Sequence, residues 1–150
     1  MEKDSKTLSV VRAMFSEYIE KHSHRKTPER YAILEEIYSH EGHFDVEHLY
    51  VSMSQKNYRV SRATIYNTID LLLDCKLLVK HQFGRNISQY ERAYDTCHHD
   101  HIINTTTSEV SEFYDERITK IIKEVCDEHQ IKLSHHTLYI YGQKMPDEKK

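Results

Sequence analysis

The sequence predicts an α+β chain in two parts, a helical part closed by a β-hairpin and a smaller αβ part behind it. Three observations predict it. Apolar residues recur at helical spacing in four consecutive stretches of the first seventy-odd residues. Two alternating runs then flank Gly84-Arg85-Asn86, residues with hairpin-turn chemistry. Past Asp95-Thr96 the pattern changes again, to short β-type runs around a single amphipathic stretch.

The elements follow in order. Residues 8–20, LSVVRAMFSEYIE, place Val11, Met14, Phe15, Tyr18 and Ile19 on one helical face. Thr27-Pro28-Glu29 supplies a cap, a proline suited to the first helical position and an acid for the positive end of the dipole. The helix it starts buries Ile33, Leu34, Ile37 and Tyr38 and stops before Gly42. Asp45 caps a third helix, Val46 to about Lys56, with Val46, Leu49, Tyr50 and Met53 inward. Ser61 caps a fourth, whose apolar stripe of Ile65, Ile69, Leu72 and Leu73 leaves Arg62, Tyr66, Asn67 and Asp70 outside. Strands are expected at 77–83 and 87–94. Helices followed by such a hairpin make a winged helix-turn-helix, with the fourth helix as reader and the hairpin as wing. Beyond it, HDHIINTT and EVSEF read as strands, Ile118, Ile121, Ile122 and Val125 mark a helix, and HHTLYIY (135–141) a closing strand. The expected division is 1–94 for the winged part, 95–144 for the αβ part and 145–150 for a loose tail. The αβ part is too small to build much core alone, and pairing with a second copy is the natural remedy. It is therefore expected to be a dimerisation domain.

Composition narrows the function. The net charge of −3 does not announce a nucleic-acid binder, but the charge is uneven: residues 1–95 carry 14 Lys/Arg against 14 Asp/Glu, and residues 96–150 carry 7 against 10. No apolar run reaches the roughly 20 residues that cross a bilayer, and the charged start lacks a signal-peptide core, so a cytoplasmic protein without membrane contact is expected. Cys75, Cys97 and Cys126 stand apart, in neither a disulfide framework nor a C-x-x-C clamp. They are expected to be packing residues. Histidine is the anomaly, with 12 in 150 residues.

The densest histidine stretch is CHHDHII, residues 97–103. On a strand, side chains alternate, so His99 and His101 face one way while His98 and Asp100 face the other. The cluster thus divides into two half-sites, each needing further N or O donors to reach four or more. Imidazole suits Fe, Zn, Mn or Ni. The plainer account, a polar solvated strand, is weakened by Glu91 and Glu112, which lie on adjoining expected strands and complete such a sphere well.

Several motifs in this order carry a family resemblance: Thr-Pro-x-Arg at 27–30, His43 before D-x-E-H-L-Y, SRATIYNTIDLL at 61–72, Tyr90-Glu91, HHDH-I-I at 98–103, Glu112-Phe113 and HHTLYIYG at 135–142. Across roughly residues 8–142 the chain resembles the ferric uptake regulator family. HHDH alone would be weak; its combination with A-T-I-Y upstream and L-Y-x-Y-G downstream is specific. The resemblance implies a metal-dependent, homodimeric repressor that binds double-stranded DNA, an AT-rich palindromic operator, and is not an enzyme, so no catalytic residues are assigned. It implies a regulatory metal held by His43, Glu91, His99, His101 and Glu112, drawn from both parts of the chain. Fe(II) is the expected physiological metal, with Zn(II) or Mn(II) able to substitute. DNA contacts are expected from Thr64, Tyr66 and Asn67 of the reader helix, with Arg30, Arg62, Lys80 and Arg85 as phosphate contacts.

The chain also departs from the family. A second metal site would use His98, Asp100, a helix glutamate and His136, but Thr119 stands at the glutamate position, which leaves the set incomplete; Glu116, one turn earlier, is a candidate replacement and His135 another candidate donor. Asn104 and Thr107 replace the first C-x-x-C pair and the second is missing, so no four-cysteine structural zinc is expected. Asn67 stands where an arginine often follows the tyrosine, and Asn can read adenine bidentately. Within the family, the alternatives are zinc, manganese, nickel or peroxide sensing. Peroxide sensors tend to carry Asp at the positions of Glu91 and Glu112, so the glutamates favour iron. Outside it, a zinc hydrolase lacks an H-E-x-x-H motif and an obvious base, and a protein-binding winged helix is favoured only by the near-neutral first part. His22, His24, His40, His48, His81 and His129 are expected to be ordinary surface or interface residues.

Overall fold

Thr27, Asp45 and Ser61 each accept a hydrogen bond from the backbone N–H three residues on, at 3.3, 2.7 and 3.1 Å. These caps start three helices at the places the sequence marks for them. The computed structural model describes residues 2–82, 88–94 and 99–146. The wing turn with Arg85, the Asp95-Thr96 segment, Cys97 and His98 lie outside the described residues.

Two compact units emerge, Met1–Thr96 and Cys97–Lys150. The first runs α1 (Glu2–Lys21), α2 (Pro28–Ser39), α3 (Val46–Gln55), α4 (Arg62–Asp74), β1 (Leu78–Gln82) and β2 (Ser88–Arg92). Helix α1 extends six residues further toward the N-terminus than its apolar period indicates. Val11, Phe15, Ile19, Ile33, Leu34, Ile65, Leu72 and Leu77 are completely buried and form the centre of the core. Each contributes about 1.5–3 kcal/mol relative to exposure.

Two devices fix the hairpin to this core. Helix α4 ends with Lys76 in the left-handed region (φ 63°), and Leu77 N–H returns to Leu72 O at 2.9 Å, which turns the chain directly into β1. Tyr38 on α2 then donates its hydroxyl proton to Leu77 O at 2.6 Å and accepts from Tyr94 N–H at 3.3 Å. Burial pushes the Tyr38 phenol up to about 12, so it stays a donor.

Strands β1 and β2 pair antiparallel with Val79 opposite Glu91 and His81 opposite Gln89. A further bridge runs on the outer side of β2: Phe44 N–H donates to Tyr90 O at 2.9 Å and Tyr90 N–H to Phe44 O at 2.7 Å. The segment just before α3 is thereby clamped along the wing.

The second unit is a sheet of order β4-β3-β5 with one helix: β3 (Asp100–Asn104), β4 (Val110–Phe113), α5 (Glu116–Glu128) and β5 (Tyr139–Gly142). Strands β3 and β4 are antiparallel; β3 and β5 are parallel. The expected closing strand is shorter than 135–141, and His135 and His136 precede it. The β3–β4 turn is closed by Asn104, whose Oδ1 accepts from Thr106 N–H at 2.9 Å and Thr107 N–H at 3.2 Å. Asp115 caps α5 and, held by Arg117, has its carboxyl lowered to about 2. Helix α5 buries none of its residues, and Ile121, Val125, Ile131, Leu133, Ile140 and Tyr141 are exposed within this unit. Among the described residues, no helix is long and apolar enough to cross a membrane.

Candidate metal centre

In the first unit the Phe44–Tyr90 bridge decides the geometry. In antiparallel pairing it brings the residue before Phe44 alongside the residue after Tyr90, and these are His43 and Glu91. His43 Nε2 lies 3.2 Å from Glu91 Oε2. His81, diagonal to Glu91 across the hairpin, places its own Nε2 3.0 Å from the same oxygen. Glu91 and His81 are 6% and 4% exposed. His81 is therefore no bland surface histidine, as its sequence context suggests; it is buried against the one carboxylate on its face. Its signal was the period of two, since Val79 and His81 share a face with Gln89 and Glu91, but choosing that pairing requires the register.

In the second unit the alternation read from 98–103 holds for the described residues. His99 and His101 share a face, with ring centroids 4.9 Å apart. Glu112 stands opposite His101 in the β3–β4 register, and its Oε1 lies 3.5 Å from His99 Nε2. Asp100 points to the other side, where its Oδ1 is 3.6 Å from His136 Nε2. His98, the remaining expected donor of that side, is outside the described residues.

Each unit therefore presents a group of nitrogen and oxygen donors: His43 and His81 around Glu91 in the first, His99 and His101 beside Glu112 in the second. The donors are nitrogen and oxygen only, which fits Fe(II), Mn(II) or Zn(II) and not a soft cation that requires thiolate. Cys75 and Cys126 are half-buried free thiols away from these sets in sequence.

The expected DNA surface is the outer side of α4. Ile65, Ile69 and Leu72 point inward, leaving Tyr66 52% exposed and Asn67 exposed beside it. A groove between the starts of α2 and α4 is lined by Thr27, Arg30, Arg59, Ser61, Thr64 and Asn67. Arg59 was not singled out in the sequence; it lies in the α3–α4 turn, where no periodicity marks it. Arg62 is engaged within the protein, bidentate to Glu47 at 2.9 and 2.8 Å and stacked 4.0 Å over the Tyr50 ring. Arg30 donates to Arg25 O at 2.5 Å. Lys80 is exposed on β1.

Residues 21–141 match the sequence profile of the Ferric uptake regulator family. The chain is 33% identical over 118 residues to the ferric uptake regulation protein of Rhizobium leguminosarum bv. viciae, covering 79% of this chain and 82% of that one. Its fold is similar to the ferric uptake regulator of Pseudomonas aeruginosa with manganese, with a TM-score of 0.78 at 30% identity over 87% of this chain and 98% of that one. It is also similar to a zinc-bound manganese uptake regulator, with a TM-score of 0.60 at 30% identity over 88% and 99% of the two chains. With an N-terminal winged helix, a C-terminal αβ unit and nitrogen–oxygen donor sets on both, the chain belongs to the ferric uptake regulator family, a family of metal-binding, DNA-binding dimeric transcription regulators.

Proposed function

We propose that the protein is an Fe(II)-responsive homodimeric repressor of iron-uptake and metal-homeostasis genes, acting in the cytoplasm on an AT-rich palindromic operator. The observation that carries this reading is the division of the donors. His43 and Glu91 sit on the DNA-binding unit, one of them on the wing, while His99, His101 and Glu112 sit on the other unit. Neither set reaches the four donors a cation requires. One ion completed by both sets ties the position of the winged helices to metal occupancy.

Metal then controls DNA affinity only through its preference for the closed arrangement. A coupling of about 1–3 kcal/mol is typical of such linkage and gives roughly a 5- to 150-fold change in operator affinity. The side chains bind and orient; the ion supplies charge and coordination geometry when bound. The exposed apolar residues of α5 and β5 support pairing with a second copy, which would present two reader helices to successive major grooves.

Glutamates at positions 91 and 112 and the ferric uptake relatives support iron. A manganese- or zinc-sensing role is the second reading, supported by the likeness to the zinc-bound manganese uptake regulator. An anaerobic DNA-binding titration tests the proposal: metal-tightened, salt-sensitive binding to an AT-rich palindrome is expected with Fe(II), and binding indifferent to Fe(II), Mn(II) and Zn(II) alike would refute it. Metal analysis of protein isolated from its native cells separates the two readings.

A further inference from the structure

We infer that His81 is a positioning residue for the regulatory metal, holding the Glu91 carboxylate in the orientation that metal binding requires. The inference rests on the reading of Glu91 as a metal ligand. His81 lies on β1, diagonal to Glu91 on the same face of the hairpin, and the two side chains are among the few polar ones buried in the first unit. Its Nε2 is 3.0 Å from Glu91 Oε2, a hydrogen bond when that nitrogen carries the proton. The His43 nitrogen approaches the same oxygen at 3.2 Å, and the His43 and His81 rings meet edge-to-face at 5.5 Å.

The physical consequence concerns the glutamate. A glutamate side chain has three torsions, and freezing them on metal binding costs conformational entropy. A donor fixed in the strand beside it restricts those torsions before the metal arrives. Hydrogen-bonded partners of metal-ligating groups act in this way, and losing one typically costs about 10- to 100-fold in metal affinity. The backbone pairing makes His81 well suited: with Val79 opposite Glu91 and His81 opposite Gln89, His81 and Glu91 are diagonal neighbours on one face of the hairpin. Strand pairing thus supplies a rigid support that a loop residue could not.

Cobalt(II) alone is the probe, titrated into the full chain as wild type, His81→Phe and His81→Gln, with circular dichroism and urea unfolding recorded on each. Phe fills the ring's volume without a donor; Gln offers an amide N–H near the position of Nε2. The expected result is Co(II) affinity weakened about 10- to 100-fold in His81→Phe, recovered to within a few-fold (roughly) in His81→Gln, with the Co(II) d–d spectrum unchanged because no ligand has been lost. Wild-type affinity in His81→Phe would overturn the inference, making His81 a packing residue. Gln as weak as Phe would overturn it too, and a shifted Co(II) spectrum in both would make His81 a ligand. Absence of Co(II) binding by the wild type would overturn the metal-site reading itself, a failure visible before the variants are compared. Should His81→Phe not fold, nitrogen-15 spectra of histidine in the zinc-loaded wild type decide: a protonated, hydrogen-bonded Nε2 on His81 supports the inference, and a metal-bound nitrogen there overturns it.

Discussion

Glu112 stands directly opposite His101 across the β3–β4 ladder, so that a carboxylate and an imidazole are delivered to one face by backbone pairing alone. His99, just before β3 and two residues from His101, completes the group, with its Nε2 3.5 Å from Glu112 Oε1. The register of β3 with β4 thus fixes two of the donors, and the residue just before β3 supplies the third.

Removing a member of this group should disable the switch and spare the assembly. His101→Ala or His99→Ala is expected to abolish the metal-dependent gain in operator affinity, about 5- to 150-fold by the linkage argument. The apolar residues of α5 and β5 are untouched, so sedimentation should still show a dimer. Dissociation to monomers in the ultracentrifuge would mean that these histidines support the assembly instead of the metal.

The proposed DNA surface gives a second, separable set of outcomes. Asn67 is exposed on α4 beside Tyr66, whereas Arg30 lines the groove at the start of α2. Asn67→Ala should cost about 1–3 kcal/mol and relax preference at one operator position. Arg30→Ala should weaken binding to all sequences alike and reduce the salt slope by about one. Arg59→Ala is expected to resemble Arg30→Ala. Arg62→Ala should do less, because Glu47 already neutralises that guanidinium. Binding measured at several salt concentrations on matched and mutated operators distinguishes these behaviours.

What could be read from the sequence was what is local. Thr27, Asp45 and Ser61 signal their helices within four residues, and the period of two separates His99 and His101 from Asp100 without any tertiary information. What could not be read was what depends on remote pairing. His43 meets Glu91 only because Phe44 and Tyr90 exchange backbone hydrogen bonds across 46 positions of chain. His81 meets the same carboxylate only in the register that sets Val79 against Glu91. Arg62 looks like a free cation on a helix face until Glu47, from another helix, is seen to hold it. The family resemblance supplied the expected ligand set, including both of its members on the first unit, His43 and Glu91; it did not supply His81 or Arg59, which no motif marks.

Stability in acid should pass through Glu36. This carboxylate on α2 is 5% exposed and receives Lys56 Nζ at 2.7 Å, Ser52 Oγ at 2.5 Å and the His40 ring at 2.7 Å, joining α2 to α3. Burial by itself would raise its pKa, but these hydrogen bonds prevail and lower it to about 2, from an ordinary 4.5. A carboxyl that is more acidic folded than unfolded stabilises the fold above its ordinary pKa, and that contribution disappears as pH falls toward the folded value. Undiscounted, the shift corresponds to roughly 3 kcal/mol or slightly more, and solvent around the exposed Lys56 brings the expected contribution to about 2–3 kcal/mol. Wild type should therefore exceed Glu36→Gln in stability at neutral pH, with the gap closing between pH 4.5 and 2. Urea unfolding of both proteins across that range measures it; a gap independent of pH would show that the carboxylate's charge is not what stabilises the α2–α3 contact.

The β3–β4 turn tests whether hydrogen bonding has taken over from a metal. Asn104 and Thr107 occupy the places where the family resemblance puts a cysteine pair, and here the Asn104 side chain accepts from the backbone N–H groups of Thr106 and Thr107, at 2.9 and 3.2 Å. The chain's three cysteines, at 75, 97 and 126, include no C-x-x-C pair that could hold zinc by thiolates. Two consequences are expected. Zinc bound to the purified protein should show only nitrogen and oxygen neighbours in X-ray absorption, and prolonged chelation should release metal without dissociating the dimer. Asn104→Ala should lower stability by about 1–2 kcal/mol, since both N–H groups lose an acceptor held in place by the turn. A zinc–sulfur distance near 2.3 Å, or a dimer that falls apart on chelation, would mean that a metal still braces this unit and that the asparagine turn is not its replacement.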